Sequence, residues 1–224
     1  MTMHPASPVS ANIPFRPGQP PWWPSPVPPV APPAPAPVHT PARVWLDPGE
    51  RPGLYDRLMD RRIVMAHGHL GDDAATRLCA QLLTLDAEGD GPIHFELQNL
   101  DADLTAALTV MGVLDVVGVP VEARAAGRIS GAALGVLAAC GQRRAYPNAL
   151  FAMSEPTVEF GGTLTAVAAR EEQTRNMLDS LYVRLADVTR REVDELRADT
   201  RGRRVLTAAE AQRYGLLTGQ IERR

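Results

Sequence analysis

Proline placement divides this chain of 224 residues before any other signal is read. Of its 21 prolines, 17 fall in the first 52 residues. Each removes a backbone donor and fixes φ, so this stretch suits neither a helix interior nor a sheet ladder. It reads as a disordered, solvated arm with polyproline II character. Pro20-Pro21-Trp22-Trp23-Pro24 sets two tryptophans in a proline frame. Tryptophans are costly to leave in water, so Trp22 and Trp23 suit packing on this chain or on a partner. The arm is a linker or dispensable tail, with docking as the alternative. Residues 53–224 supply ample chain for one core.

Beyond Gly53, strand and helix patterns alternate. Ile63 to Ala66 reads as a short apolar strand. Asp72 or Asp73 is placed to cap a helix presenting Ala75, Leu78, Leu82 and Leu83. Ile93 to Leu97 reads as a strand, and Asp103 as the cap of a helix from Leu104 to Val117. Val121 to Ala125 and Leu150 to Met153 are further strands, separated by a small-residue helix from Gly131 to Cys140. Repeated strand-helix units predict a right-handed, mostly parallel, layered α/β domain. A long helix follows, from about Thr163 to Val188. Met177, Leu181, Leu185 and Val188 line one stripe, with Leu178 and Tyr182 beside it. Spacing alone leaves two options for that stripe: packing on its own domain, or burial against another copy.

Composition excludes several classes. The net charge of -3 gives no electrostatic footprint for nucleic acid or an anionic membrane. All basic residues are arginine. No apolar run approaches a membrane span, and the N-terminus lacks a basic-then-apolar signal pattern. Cys79 and Cys140 sit in apolar helical stretches and read as buried, reduced thiols. These features predict a cytoplasmic protein.

The stretch from Gly127 to Pro156 carries the strongest signal. It runs Gly-Arg-Ile-Ser-Gly-Ala-Ala-Leu-Gly, continues through a small-residue helix, and reaches Pro147-Asn148-Ala149 and then Ser154-Glu155-Pro156. This resembles the active-site segment of the Clp protease proteolytic subunit (ClpP) family. There a Gly-x-Ala-Ala-Ser-x-Gly turn carries the nucleophilic serine, and a strand ending in His-Gln-Pro supplies the base. Other blocks agree. Ala80-Gln81-Leu82-Leu83-Thr84-Leu85 matches the family's Ala-Gln-Leu-Leu-x-Leu. Leu206 to Leu216 resembles its Leu-Ser-Ala-x-Glu-Ala-x-x-Tyr-Gly-Leu, with Gly215 ending a helix. The resemblance spans roughly Leu54 to Ile221, with one extra residue around His67-Gly68-His69. It implies the layered ClpP/crotonase-like fold, with the long helix as the handle through which rings stack. Charge at Leu181 or Leu185 is then expected to separate rings while leaving subunits folded.

The chemistry is tested position by position. Serine hydrolysis needs a nucleophile, a base, an orienting acid and donors aimed at the oxyanion. The resemblance puts the nucleophile position at Gly131, which has no side chain. It puts the base at Ser154, whose hydroxyl takes no proton near neutral pH. The acid position falls on Arg203, a permanent cation. The family's oxyanion loop carries two glycines, replaced here by Asp101 and Ala102 within Gln98 to Asp103. Asp101 puts negative charge where an oxyanion would form. Each change alone is expected to cost on the order of 10²-fold in rate or more.

Ser130, one residue before Gly131, is the rescue candidate for a nucleophile. A shift of one residue re-aims a side chain by a large angle. The five histidines are His4 and His39 in the arm, and His67, His69 and His94 on early strands or their exits, so no base is evident. A helix-start hydroxyl satisfying a local amide is the plainer role for Ser130. His67-x-His69 could face one side of a strand as a metal pair, but no third ligand is evident and no metal is expected. No cofactor motif appears; any ATP use would belong to a partner AAA+ unfoldase. Three functions compete. One is a non-catalytic, ClpP-like ring subunit (a pseudopeptidase), alone or mixed with active paralogues. A second is an active ATP-dependent serine endopeptidase. The last is a crotonase-like use of the fold, with Asp101 and Glu155 as carboxylates.

Overall fold

In a computed structural model, residues 53–156 and 164–222 are described. The arm, including Trp22 and Trp23, lies outside the described residues, as does the segment joining Pro156 to the long helix. In chain order the elements are α1 (Leu54–Met59), β1 (Ile63–Leu70), α2 (Asp72–Glu88), β2 (Ile93–Ala102), α3 (Leu104–Val116), β3 (Val121–Ser130) and α4 (Ala133–Ala139). Then come β4 (Gln142–Ala145), β5 (Leu150–Ala152), α5 (Leu164–Thr189), α6 (Val193–Arg201), β6 (Val205–Thr207), α7 (Ala208–Tyr214) and β7 (Gly219–Gln220). The sheet runs β1-β2-β3-β4-β7, all parallel. β5 pairs parallel with β3 beyond the end of β4, and β6 pairs antiparallel with β5. The expected layered α/β domain is the one observed.

One face of the sheet makes the core. Val64, Ala66, Phe95, Leu97, Ala123, Ala125 and Ile129 alternate along β1, β2 and β3 and are almost fully buried. α2, α3 and α4 pack side by side, and α5 lies across α3 and α4. On the opposite face, half-buried charges replace the apolar row. Arg124 sits between Glu96 and Glu122, and His94 lies 3.4 Å from Glu122. Burial pushes the Glu96 carboxyl up, against the opposing pull of Arg124.

Several expectations are corrected. β1 and β2 run four and five residues further than their apolar cores suggested, so the Gln98–Ala102 stretch is strand rather than loop. Parallel pairing between the strands, from Gly68 opposite Leu100 to Leu70 opposite Ala102, supplies the backbone partners that the local sequence does not advertise. β3 likewise extends to Ser130. The first long helix starts after Gly71, and neither Asp72 nor Asp73 caps it. Both carboxylates instead lie in its first turn, where the helix dipole favours negative charge. Leu83 is exposed while Leu85 is buried, because Leu78, Leu82 and Leu85 hold the inward stripe. Asp103 occupies the N-cap position of α3 but makes no capping bond there.

The long helix settles the stripe differently from the expectation. Leu181, Tyr182 and Leu185 are buried within this chain's own core, with Met177, Leu178 and Val188 packed against it. They meet the inner helices because α5 crosses at Gly135. An added Cβ there would lie 2.3 Å from Leu181 Cδ1 and 2.8 Å from Met111 Sδ. Charge at Leu181 or Leu185 would therefore break the subunit before it separated anything. The N-terminal part of the helix differs: Ala169 to Gln173 are exposed.

The C-terminal block behaves as read. Gly215 ends α7 at φ 93°, and an added Cβ would come within 2.9 Å of Thr189 Cα. Thr207 and Glu210 form a reciprocal capping box at the other end of α7. Cys79 and Cys140 are buried free thiols, and burial pushes Cys140 up to about 12. Among the described residues no helix is long and apolar enough to cross a membrane.

Candidate functional site

Parallel strands end together, so whatever their last residues carry is gathered at one edge. Here β1, β2, β3 and β5 deliver His69, Asp101, Ser130 and Ala152 to the same rim. Register fixes the neighbours: His69 opposite Asp101, Leu70 opposite Ala102, and Ser130 opposite Ala152.

Bulges re-aim the strand ends as they reach this rim. β1 slips register between His67 and Gly68, with Gly68 at φ 74°. The unpaired residue at that step is Asn99 of β2, since His67 and Gly68 pair with Gln98 and Leu100. β2 slips at Asn99, which adopts φ 46°, a left-handed conformation that asparagine tolerates better than most residues. Asn99 Oδ1 accepts from the Arg128 N–H at 3.0 Å. A Cβ on Gly127 would lie 2.1 Å from that oxygen, so glycine is required opposite Asn99. Asn99 was not singled out from sequence. An asparagine interrupting an apolar alternation was the available signal.

At this rim lies a cleft of about 540 Å³. Asp101, Ala102, Ser130, Gly131, Ser154 and Arg203 all line it. Every position singled out by resemblance therefore converges, although they come from four separate stretches of chain. Gly131 follows β3 at φ 59°, and its N–H donates to the Ala152 carbonyl at 3.3 Å. An ideal Cβ on Gly131 would lie 3.1 Å from Asp101 Oδ1 and 3.7 Å from Ser154 Oγ. A carboxylate thus borders the space a side chain at 131 would take, and a hydroxyl faces it. Arg203 sits in the turn between α6 and β6 at φ 51°, with its N–H on the Thr200 carbonyl at 3.0 Å. The next residue, Arg204, accepts from the Met153 N–H at 2.8 Å, which ties this turn to Ser154.

Ser130 is the last residue of β3, not a helix-start residue. Among the described residues its hydroxyl makes no hydrogen bond, so the expected local role is not what the structure displays.

His69 was weighed in the sequence as a metal ligand, and its place in the cleft was not read there. It lines the same cleft as Ser130. Its Nε2 lies 3.3 Å from Asp103 Oδ1, and its Nδ1 lies 3.7 Å from Asp101 Oδ2. Asp103 is therefore turned toward this imidazole rather than capping α3. His69 and Ser130 thus line one cleft, where the sequence had offered no evident base for Ser130. β1 and β3 both flank β2, which places their ends one strand apart, and linear sequence hides that. His67 is half-buried and His69 exposed. Among the described residues, no three His, Cys, Asp or Glu side chains are placed to hold one metal ion. Glu155 faces Arg201 across the cleft wall at 4.0 Å, both well exposed. Asp101 and Glu155 thus both line the cleft, each beside a partner of its own.

The Clp protease family model matches residues 50–224. This chain belongs to the Clp protease family. The match covers all seven strands, the cleft and the long helix.

Proposed function

We propose that this chain is a non-catalytic, ClpP-like subunit of a Clp-type proteolytic complex. One observation carries the reading: at the nucleophile position, Gly131 offers no side chain, and the Asp101 carboxylate stands 3.1 Å from where one would begin. Hydrolysis would have to develop negative charge beside that carboxylate. Ser154 supplies a hydroxyl where a base is required, and Arg203 a cation where an orienting acid is required. With four roles replaced, positioning of a peptide can survive while bond cleavage does not. Members of this family normally form rings and pair with AAA+ unfoldases. We place this chain in such a ring, with itself or with active paralogues, in the cytoplasm.

A second reading is favoured by one observation, the presence of His69 and Ser130 in one cleft. It makes the chain an active serine endopeptidase with a shifted nucleophile. Two things oppose it. Both ring nitrogens of His69 face carboxylates, so neither is turned to a hydroxyl. The imidazole is also well exposed, which weakens any charge relay through it.

A fluorophosphonate probe separates the two. The full chain is expected to stay unlabelled. Labelling that disappears in Ser130→Ala would overturn the non-catalytic reading. Assembly is checked by light scattering at micromolar concentration, alone and with an active paralogue. A stable monomer in both conditions would overturn the ring assignment.

A further inference from the structure

We infer that the cleft receives the C-terminal carboxylate of a peptide, held by Arg203 and Arg128; this rests on the non-catalytic reading above. The argument begins with charge matching. None of the acids in the cleft faces Arg128 or Arg203 within ion-pair distance. Asp101 and Asp103 face His69, and Glu155 faces Arg201. Among the described residues, the guanidiniums of Arg128 and Arg203 pair with no carboxylate. Both line the cleft. Two permanent cations thus stand without a carboxylate partner in a cleft at the carboxyl ends of parallel strands, where open α/β sheets bind their ligands.

Both arginines are anchored at the backbone. The Arg128 N–H is held by Asn99 Oδ1, and the Arg203 N–H by the Thr200 carbonyl. Arg203 also keeps a left-handed φ of 51° that fixes the direction in which its side chain leaves the turn. A guanidinium binds a carboxylate through two parallel N–H donors. The chemical class of the ligand follows from what else lines the site. Three carboxylates in the same walls disfavour a dianion such as a phosphate group. A monoanion on an otherwise neutral amide chain is tolerated. A small carboxylate alone gains little from exposed arginines at physiological salt. A peptide fills the remaining volume and adds backbone and apolar contacts. Such carboxylates are what peptide-bond hydrolysis releases, so an active peptidase in the same complex would supply the ligand.

The test uses the full chain and a peptide labelled with fluorescein at its N-terminus. It is prepared both as the free C-terminal acid and as the C-terminal amide. Fluorescence anisotropy is read at 0.15 M salt, and the peptide is recovered for mass spectrometry. The acid is expected to bind about tenfold tighter than the amide or more, as suits hydrogen bonds to a charged group. Arg203→Ala and Arg128→Ala should each erase most of that difference by weakening binding of the acid more than that of the amide; Arg203→Lys should keep part of it. Circular dichroism checks that each variant is folded. Equal affinity for acid and amide, or binding of neither, overturns the inference alone. Acetate competing as well as the unlabelled peptide would reduce the site to a simple anion site and overturn the peptide assignment. Hydrolysis of the peptide would overturn the non-catalytic reading itself, and this inference with it.

Discussion

Restoring the missing serine alone should cost stability and return no activity. In Gly131→Ser, the new residue must keep φ near 59°. For an L-residue, the left-handed region costs about 1–2 kcal/mol. Its Cβ would start 3.1 Å from Asp101 Oδ1, a contact that a carboxylate at 58% side-chain exposure relieves by moving a few tenths of an ångström. Steric conflict therefore adds little to the backbone term. For a domain of this size, about 1–2 kcal/mol corresponds to a fall in thermal midpoint of about 2–8 °C. The new hydroxyl would lie near Ser154, which accepts no proton at neutral pH, and near Asp101, which opposes an oxyanion. Fluorophosphonate labelling and cleavage of a fluorogenic peptide should both stay at background. Adding Asp101→Gly should remove the nearby charge, yet leave the base role empty, and so also give no turnover. Labelling of Gly131→Ser by itself would refute the reasoning. It would mean that another group in the cleft, with His69 the first suspect, serves as base.

Other outcomes follow from the packing and the caps. Leu181→Asp removes a buried leucine, typically about 2–5 kcal/mol for truncation alone, and adds a carboxylate to the core. Set against a usual total of about 5–15 kcal/mol, this should abolish cooperative unfolding by circular dichroism; a folded variant altered only in oligomer size would contradict the core placement. The Glu210 carboxyl is held below its ordinary value by hydrogen bonds from the Thr207 backbone and hydroxyl. Because its folded value lies below the unfolded one, the stability it contributes is present above about pH 4.3 and is lost as pH falls through the folded value. The difference in thermal midpoint between the parent and Glu210→Gln should therefore shrink as pH falls through that window, and a constant difference from pH 7 downward would count against the cap. Removing residues 1–50 should leave the thermal midpoint nearly unchanged, as the proline load suggests; a drop of many degrees would mean that Trp22 and Trp23 pack on the domain.

Much of the architecture was legible in the linear chain. Strand-helix alternation gave the layered parallel domain, since period-two and period-3.6 apolar patterns are local properties. The Tyr214-Gly215-Leu216 turn was equally readable, because a left-handed helix end selects glycine from its immediate surroundings. Motif spacing also named the positions that gather in the cleft: Asp101, Ala102, Ser130, Gly131, Ser154 and Arg203. The proposal that a nucleophile is missing at 131 and a base at 154 rests on residue identity, a glycine and a serine, which needs no coordinates.

Only the tertiary structure decided which groups face one another. His69 reaches the cleft because β1 and β3 flank β2 and end at one rim, and nothing within β1 records its neighbours there. Asp103 looked like a helix cap because capping is judged from a few residues, whereas the imidazole that draws its carboxylate comes from a different strand. The stripe on α5 had two physically reasonable fates, and spacing is silent between them. The close approach at Gly135 places Leu181 inside the subunit. The apolar pattern fixed that the stripe must be covered; which surface covers it depends on contacts between residues 46 positions apart in the chain.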